Sequence, residues 1–419
     1  MATLRSLIYI SDGNLPSKMA NTIQIAKMGQ ALAQKLANFE LVTGGHIGST
    51  LKGMDAEFQT WYGLHNKLKL VRLPTHIKVN YPFPPDYQCQ TFFKLAVLYA
   101  CLKSPSLAYT RDSRTAEFLL SVGGIPVLYE QHHHITKESP YCSLLTNKNL
   151  TGFITTSSQL AENYIEQGLD PSKILIAPNA VDPKNFLPYQ EKGSARQKLS
   201  LQQNEKIILY SGHLYKYKGI PTLLETAGLM PECTFILVGG WENDIKTVKE
   251  TCKNANLHNV YVIGHVPQSE LASYLYAADI LMLPTSKYWE EAESTNPLKL
   301  FDYMAVRRPI VASALPNIMT ILRDGENGLL AEPDDPISFK SAMEKLFIAP
   351  ALADSIAECA FQEVQNFTWD NRAENVLTFA TEKLQQVDES TNNPRENLLR
   401  YAQESYKRLS KKMTLKNSL

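Results

Sequence analysis

With 419 residues, the chain exceeds one ordinary hydrophobic core, and two or three domains are expected. Its 42 basic residues balance 42 acidic ones, and 44% hydrophobic against 20% charged residues describes a globular protein, which argues against a general nucleic-acid binder. Six cysteines without C-x-x-C spacing suit thiols in a reducing compartment better than a disulfide framework or a zinc site, so a cytoplasmic location is expected.

In chain order, residues 7–11 (LIYIS) form an apolar run of strand length that reads as a first strand and not as a signal peptide. A polar loop follows, then a helical pattern over 22–36 and a second strand at 39–43. Further strands fit 69–73, 107–110, 127–130, 152–156 and 174–177, with helices at 91–102, 115–122 and 159–167. Strands and helices alternate without hairpin signals, the signature of βαβ units and a parallel sheet. Ligands of such sheets sit beyond the carboxyl ends of the strands, which directs attention to Asp12, Asn14, Lys18 and Asn21, to Arg111 and Asp112, and to Glu130–His134.

The polar stretch 188–205 reads as a linker. A second α/β series follows: strands at 206–211, 234–238, 260–263, 280–283 and 309–312, with helices from Pro221, near 244–255 and near 268–277. From Pro336 the chain turns helical, and 368–384 reads as a last packing helix. The expected division is therefore 1–187, a first α/β domain; 188–205, a linker; 206–366, a second α/β domain; and 367–419, packing helices with a basic tail. In that tail, Leu398, Ala402, Tyr406, Leu409 and Met413 recur at spacings of three to four, with Lys407, Arg408, Lys411 and Lys412 between them. A basic amphipathic helix of this kind docks either on the protein's own body or on an anionic membrane surface.

Two stretches could hold an anion. Ser211–Pro221 (SGHLYKYKGIP) joins a strand to a helix, with Gly212 allowing close backbone approach and Lys218 supplying a charge suited to a diphosphate. In 288–313, Asn296 reads as an N-cap and Pro297 as the first helical residue. Leu300, Phe301 and Met304 form the buried stripe, and Asp302 lies off it, near Lys299. That helix start could receive a phosphate while Asp302 accepts from ribose hydroxyls; a solvated Lys299–Asp302 pair is the plainer reading. Gly239–Gly240 and Gly264–His265–Val266 end two more strands with small residues, against which a flat base could lie. The sequence has no GxGxxG after its first strand, no GxxxxGK[ST], no HExxH and no D-x-D pair, which favours a metal-independent mechanism. His132, His133 and His134 alternate faces at a strand end and are poorly spaced to share a metal; His132 could instead donate a hydrogen bond near a reacting sugar, or serve a structural role.

Together, PNAVDPKNF, GHLYKYKG, FILVGG, VYVIGHV, AADILMLPT and STNPLKLFDYMAVRRPIVAS…GENGLLAEPDD resemble glycosyltransferase family 4, with thinner matches at SLIYIS…PSKMANTIQIAKM, AYTRD and VLYEQH. The resemblance implies a GT-B fold: α/β, two Rossmann-like doubly wound domains facing across a cleft, with C-terminal helices. It implies acceptor binding by the first domain, 1–187, and nucleotide-sugar binding by the second, 206–366. It further implies a retaining, metal-independent transfer from a nucleoside diphosphate sugar, UDP- or GDP-linked, to a carbohydrate or lipid-linked acceptor, with no cofactor. By that analogy Lys218, Asp302 and His132 carry the chemistry. The donor is held by Gly212, His213, Lys218, Gly239, Gly240, His265, Val266, Glu293, Ser294, Asn296, Pro297, Leu298, Lys299 and Asp302, and the acceptor by Asp12, Asn14, Lys18, Asn21, Arg111 and Glu130. Two departures stand out. The family's paired acids lie eight positions apart, which puts Ser294 opposite Asp302, with Glu293 one residue out of register. The usual GRL is GHL, so His213 replaces an arginine that would fork onto phosphate. These departures keep open a degenerate subunit that scaffolds a partner transferase, and the fold also admits a sugar-nucleotide epimerase. Peripheral contact with the inner face of a membrane is a further expectation, and the oligomeric state is left open.

Overall fold

A computed structural model describes residues 4–17, 19–45, 56–75, 89–385 and 393–404. The chain divides into two compact units, Met1–Ala177 with Ala373–Leu419, and Pro178–Arg372.

The first unit is built on a seven-stranded parallel sheet. Its strands are β1 (Leu7–Asn14), β2 (Phe39–Gly45), β3 (Leu70–Pro74), β4 (Leu107–Thr110), β5 (Val127–Glu130), β6 (Leu150–Thr155) and β7 (Ile174–Ile176), in the order β3-β2-β1-β4-β5-β6-β7. The crossover helices include α1 (Ala20–Lys35), the short α2 (Ala56–Trp61), α3 (Cys89–Lys103), α4 (Ser113–Val122) and α5 (Ser158–Glu166). β4, β5 and β6 are buried along their whole length, as strands covered on both faces must be.

The second unit carries a six-stranded parallel sheet. It comprises β8 (Lys206–Ser211), β9 (Cys233–Val238), β10 (Val260–Gly264), β11 (Ile280–Leu283), β12 (Ile310–Ser313) and β13 (Leu329–Ala331), in the order β10-β9-β8-β11-β12-β13. Around it lie α6 (Lys192–Lys198), α7 (Ile220–Leu229), α8 (Glu242–Asn254), α9 (Gln268–Ala277), α10 (Leu298–Met304), α11 (Pro316–Met319), α12 (Pro336–Ile348) and α13 (Pro350–Val364). Strand order reverses between β1 and β4 in one sheet and between β8 and β11 in the other, the crevices where open α/β sheets bind ligands.

The stretch 188–205 is not simply a loop. It contains α6, whose Arg196 is 2% exposed, donates to the carbonyls of Ala277, Gln203 and Glu205 and pairs with Asp279 at 2.7 Å. Polar composition hides this role, because a guanidinium that satisfies three carbonyls and a carboxylate can be buried. The last long helix, α14 (Trp369–Leu384), begins in the second unit and continues in the first, where a Cβ on Gly152 would lie 2.7 Å from the Phe379 ring. A further helix, α15 (394–404), packs Leu398 and Tyr401 against the core of the first unit, with Tyr401 edge-on to Phe118 at 5.3 Å. The described part of the tail, 394–404, thus docks on its own body; Tyr406, Lys407, Arg408, Leu409, Lys411, Lys412 and Met413 lie outside the described residues. Among the described residues no helix is long and apolar enough to cross a membrane.

Candidate functional site

At the switch point of the second sheet, three neighbouring strands end in glycines. Gly212 N–H donates to the Val238 carbonyl (2.8 Å) and Gly239 N–H to the Gly264 carbonyl (2.7 Å). Gly212, Gly239, Gly240 and Gly264 all have positive φ, and a Cβ on Gly239 would stand 2.5 Å from the Gly212 carbonyl oxygen. Only glycine allows these strand ends to lie so close and leave a floor of bare backbone. Gly219 is tighter still: at φ +80°, its Cβ would fall 1.5 Å from the Pro284 carbonyl oxygen, which fixes the Lys216–Gly219 turn against the end of β11.

One lysine lies on this floor and a second nearby. Lys299, from the first turn of α10, runs back over β8 with its Nζ 3.9 Å from the centre of the Tyr210 ring, and a Cβ on Gly212 would meet that Nζ at 2.4 Å. Lys218 lies over the Trp289 ring at 3.8 Å. Burial pushes the Lys218 ammonium down to about 8, partly offset by the charge of Glu291. Lys299 is held well below the ordinary lysine range, first by desolvation and then by the charge of Lys218. Two ammonium groups close enough for one to lower the pKa of the other favour a polyanion.

His213 stacks on Tyr215 (5.1 Å) and on Trp241 (5.5 Å), and Tyr217 stacks on Trp289 at 5.0 Å. Desolvation, Lys299 and Lys218 lower its pKa, so it is neutral near pH 7. The phosphate-gripping charge that an arginine would bring here is therefore absent, and Lys299 supplies a cation from a different element. Tyr303 anchors α10 to the sheet by accepting from Ser211 N–H at 2.8 Å.

The surrounding positions differ from expectation. Pro297, not Asn296, is the N-cap of α10, and the helix has seven residues. Asn296 is 4% exposed; its side chain accepts from Asn179 N–H (2.9 Å) and its carbonyl from the Asn179 amide (2.5 Å), so tertiary pairing displaces capping. Ser294 is wholly buried against the Glu291 carbonyl, whereas Glu293 is exposed. The acid whose charge reaches Lys218 is Glu291, which an eight-residue spacing from Asp302 does not select. Asp302 is half-buried on α10, Pro297 and Leu298 are half-buried, His265 is exposed, and Val266 packs on the core. Tyr215, Tyr217, Trp241 and Trp289 went unread in the sequence; the alternation of LYKYK and the tryptophans just beyond two strands were the available signal.

In the first unit the strand ends are closed by a polar network. Glu130 has no exposed surface: its carboxylate accepts from Gln24 (2.8 Å), from Tyr109 Oη and from His132 Nε2 (2.5 Å). Arg111 reaches Gln24 Oε1 (2.5 Å) and His132 Nδ1 (3.0 Å). Both imidazole nitrogens of His132 are therefore engaged, which leaves no ring N–H directed at a ligand in this arrangement. Asp112 caps α4, accepting from Thr115 N–H at 2.9 Å. Asp12 lies 3.9 Å from Arg114, and its pKa is raised by packing around its carboxyl and by Asp112. Asn21 is exposed in the first turn of α1, the Asn14 backbone pairs with Gly44, and Lys18 lies outside the described residues. The structure thus brings Arg111, Glu130 and His132 together and places Asp12 with Arg114 and Asp112.

Residues 191–363 match the family described as glycosyl transferases group 1. Among curated proteins, the chain is 27% identical to the D-inositol 3-phosphate glycosyltransferase of Acidothermus cellulolyticus over 54% of its own length and 51% of that protein. It is 24% identical to the Escherichia coli UDP-Gal:alpha-D-GlcNAc-diphosphoundecaprenol alpha-1,3-galactosyltransferase over 67% of its length and 77% of that protein. The chain spans about half the length of the first curated relatives it matches. Among solved structures, the sucrose-phosphate synthase of Thermosynechococcus elongatus superposes with a TM-score of 0.74 at 20% identity, covering 91% of this chain and 100% of that one. Anabaena HepE in complex with UDP and glucose superposes with a TM-score of 0.70 at 16% identity, also over 91% and 100%. Likeness at this level shows the fold, the GT-B class of two parallel α/β sheets.

Proposed function

We propose, on the match of residues 191–363 to the group 1 glycosyl transferases, that the chain is a retaining, metal-independent glycosyltransferase. It would move a sugar from a nucleoside diphosphate sugar, UDP- or GDP-linked, to a carbohydrate or lipid-linked acceptor in polysaccharide, glycolipid or glycoconjugate assembly. The observation that carries the reading is the pair of Lys299, over the glycine floor, and Lys218, over Trp289, at the β8/β11 switch point. As the bond to the donor sugar breaks, negative charge grows on the departing diphosphate. Ammonium groups already fixed and partly desolvated at that position stabilise it without reorganising. Asp302 on α10 is assigned to the ribose. The E. coli relative's name specifies a diphosphoundecaprenol acceptor, which supports a lipid-linked acceptor here; the reading includes a reaction on the cytoplasmic side, in contact with the inner face of a membrane. Metal independence rests on the lack of a D-x-D pair in the sequence.

The test is thermal shift against UDP-, GDP- and ADP-sugars with Lys218→Ala and Asp302→Ala as controls. Stabilisation by one donor class that both substitutions abolish is expected; no stabilisation by any donor sinks the site. A second reading, a nucleotide-binding subunit without turnover, is favoured by the buried Ser294 where the family carries an acid. Release of free sugar from the bound donor, or its transfer, would exclude it.

A further inference from the structure

Beyond the lysine pair, the same strand ends carry two buried polar atoms with no hydrogen-bond partner, His213 Nδ1 and Asp244 Oδ2. They come from different elements. His213 follows β8 and stacks on Tyr215 and on Trp241, whose indole N–H is spent on Tyr215 Oη at 2.8 Å. Asp244 is in the first turn of α8, a turn that settles onto the strand ends because Gly240 and Gly264 lack side chains. A Cβ on either would stand 3.3–3.4 Å from Ile245, the residue next to Asp244. The Asp244 charge is felt by both His213 and Tyr217.

Leaving an acceptor buried and unanswered costs stability, and such groups in native proteins call for an explanation. A carboxylate in the first turn of a helix is favoured by the helix dipole, but that accounts for its charge and not for the lone oxygen. An anion is excluded as its partner, since like charges repel; the missing partner is an N–H or O–H. We infer that Asp244, with His213 beside it, is a specificity-determining contact that accepts a hydrogen bond from the uncharged part of the donor, a base N–H or a sugar hydroxyl, next to the diphosphate held by Lys218 and Lys299. This rests on the donor-site reading above. Sites that hydrogen-bond a ligand's N–H or O–H discriminate strongly, because the wrong ligand leaves the buried group unpaired.

The experiment compares wild type, Asp244→Asn and Asp244→Ala by calorimetric titration with inorganic pyrophosphate, with UDP, GDP and ADP, and with UDP-glucose, GDP-mannose and ADP-glucose. The isosteric Asp244→Asn keeps shape, and a thermal melt of each unliganded variant checks folding. The expected result is unchanged pyrophosphate affinity with about tenfold weaker binding of the preferred nucleotide ligand. Weakening already present with the free nucleoside diphosphate assigns the contact to the nucleoside; weakening only with the sugar attached assigns it to the transferred sugar. Equal weakening of pyrophosphate and nucleotide, or none for either, overturns the inference and leaves Asp244 as a helix-end charge. Wild type that binds neither pyrophosphate nor any nucleotide sinks the donor site itself.

Discussion

The switch points of the two sheets resolve the same geometric situation in opposite ways. In the first unit, Glu130, His132, Arg111, Gln24 and Tyr109 answer one another, so that buried carboxylate, imidazole and guanidinium are mutually satisfied. In the second, burial lowers Lys218, burial and the charge of Lys218 lower Lys299, and His213 and Asp244 keep unanswered atoms. A closed network holds a sheet end rigid; an open one stores affinity for whatever completes it. The comparison assigns stability to one end and binding to the other.

The largest effect should come from breaking the closed network. Glu130→Leu strips three donors of their acceptor and should cost ~3–5 kcal/mol in urea unfolding, with nucleotide binding by the surviving folded fraction intact. Gly219→Ala tests the second unit's backbone. A Cβ so close to the Pro284 carbonyl must displace the Lys218 turn, and a loss of ~2–4 kcal/mol together with loss of nucleotide affinity is expected from melts and titrations.

Lys299→Met should behave in the opposite sense to Glu130→Leu. It should weaken nucleoside diphosphate binding about 10- to 100-fold while leaving the melting temperature of the unliganded protein unchanged or higher, because it removes a desolvated cation. A fall in stability equal to that of Glu130→Leu would erase the distinction between the two ends.

The pH dependence follows from Lys218, held at about 8 in the folded protein against 10.5 for an ordinary lysine. Between these values the unfolded chain binds more protons, so stability of the unliganded protein should rise with pH across that window. Diphosphate affinity should move the other way, declining as pH passes about 8 and the ammonium is lost. Lys218→Arg, always charged, should flatten that decline; titration at several pH values checks it. The smallest effect is expected at Tyr401→Ala in α15, about 1 kcal/mol in chemical unfolding, from the loss of one edge-to-face contact with Phe118.

Most of the fold was legible because parallel strands buried on both faces read as short apolar runs. The sequence reading of 206–211, 268–277 and 280–283 matches β8, α9 and β11 residue for residue. The short α2 and β13 escaped because a six-residue helix and a three-residue strand carry too little periodicity. Arg196 escaped because composition cannot show that its charge is satisfied by the Ala277 carbonyl and the Asp279 carboxylate, both distant in sequence.

The candidate site was legible in part, and the division has one cause. Residues whose role is local could be read: Gly212 and Gly219 demand their backbone angles, and Lys218 announces a charge beside them. Roles that depend on a partner far along the chain could not. Asn296 is a good cap by type, yet Asn179 claims it; Glu291 reaches Lys218, while Ser294, in the register of an acid, is sealed in. His132 reads as a free imidazole until Glu130 and Arg111 occupy both nitrogens. The sequence by itself determined two parallel α/β sheets, their strand ends and the glycines that bare them, because these follow from periodicity and backbone sterics. Only the tertiary structure decided which charges are answered, since pairing across tens of residues is set by where the strands bring their ends together.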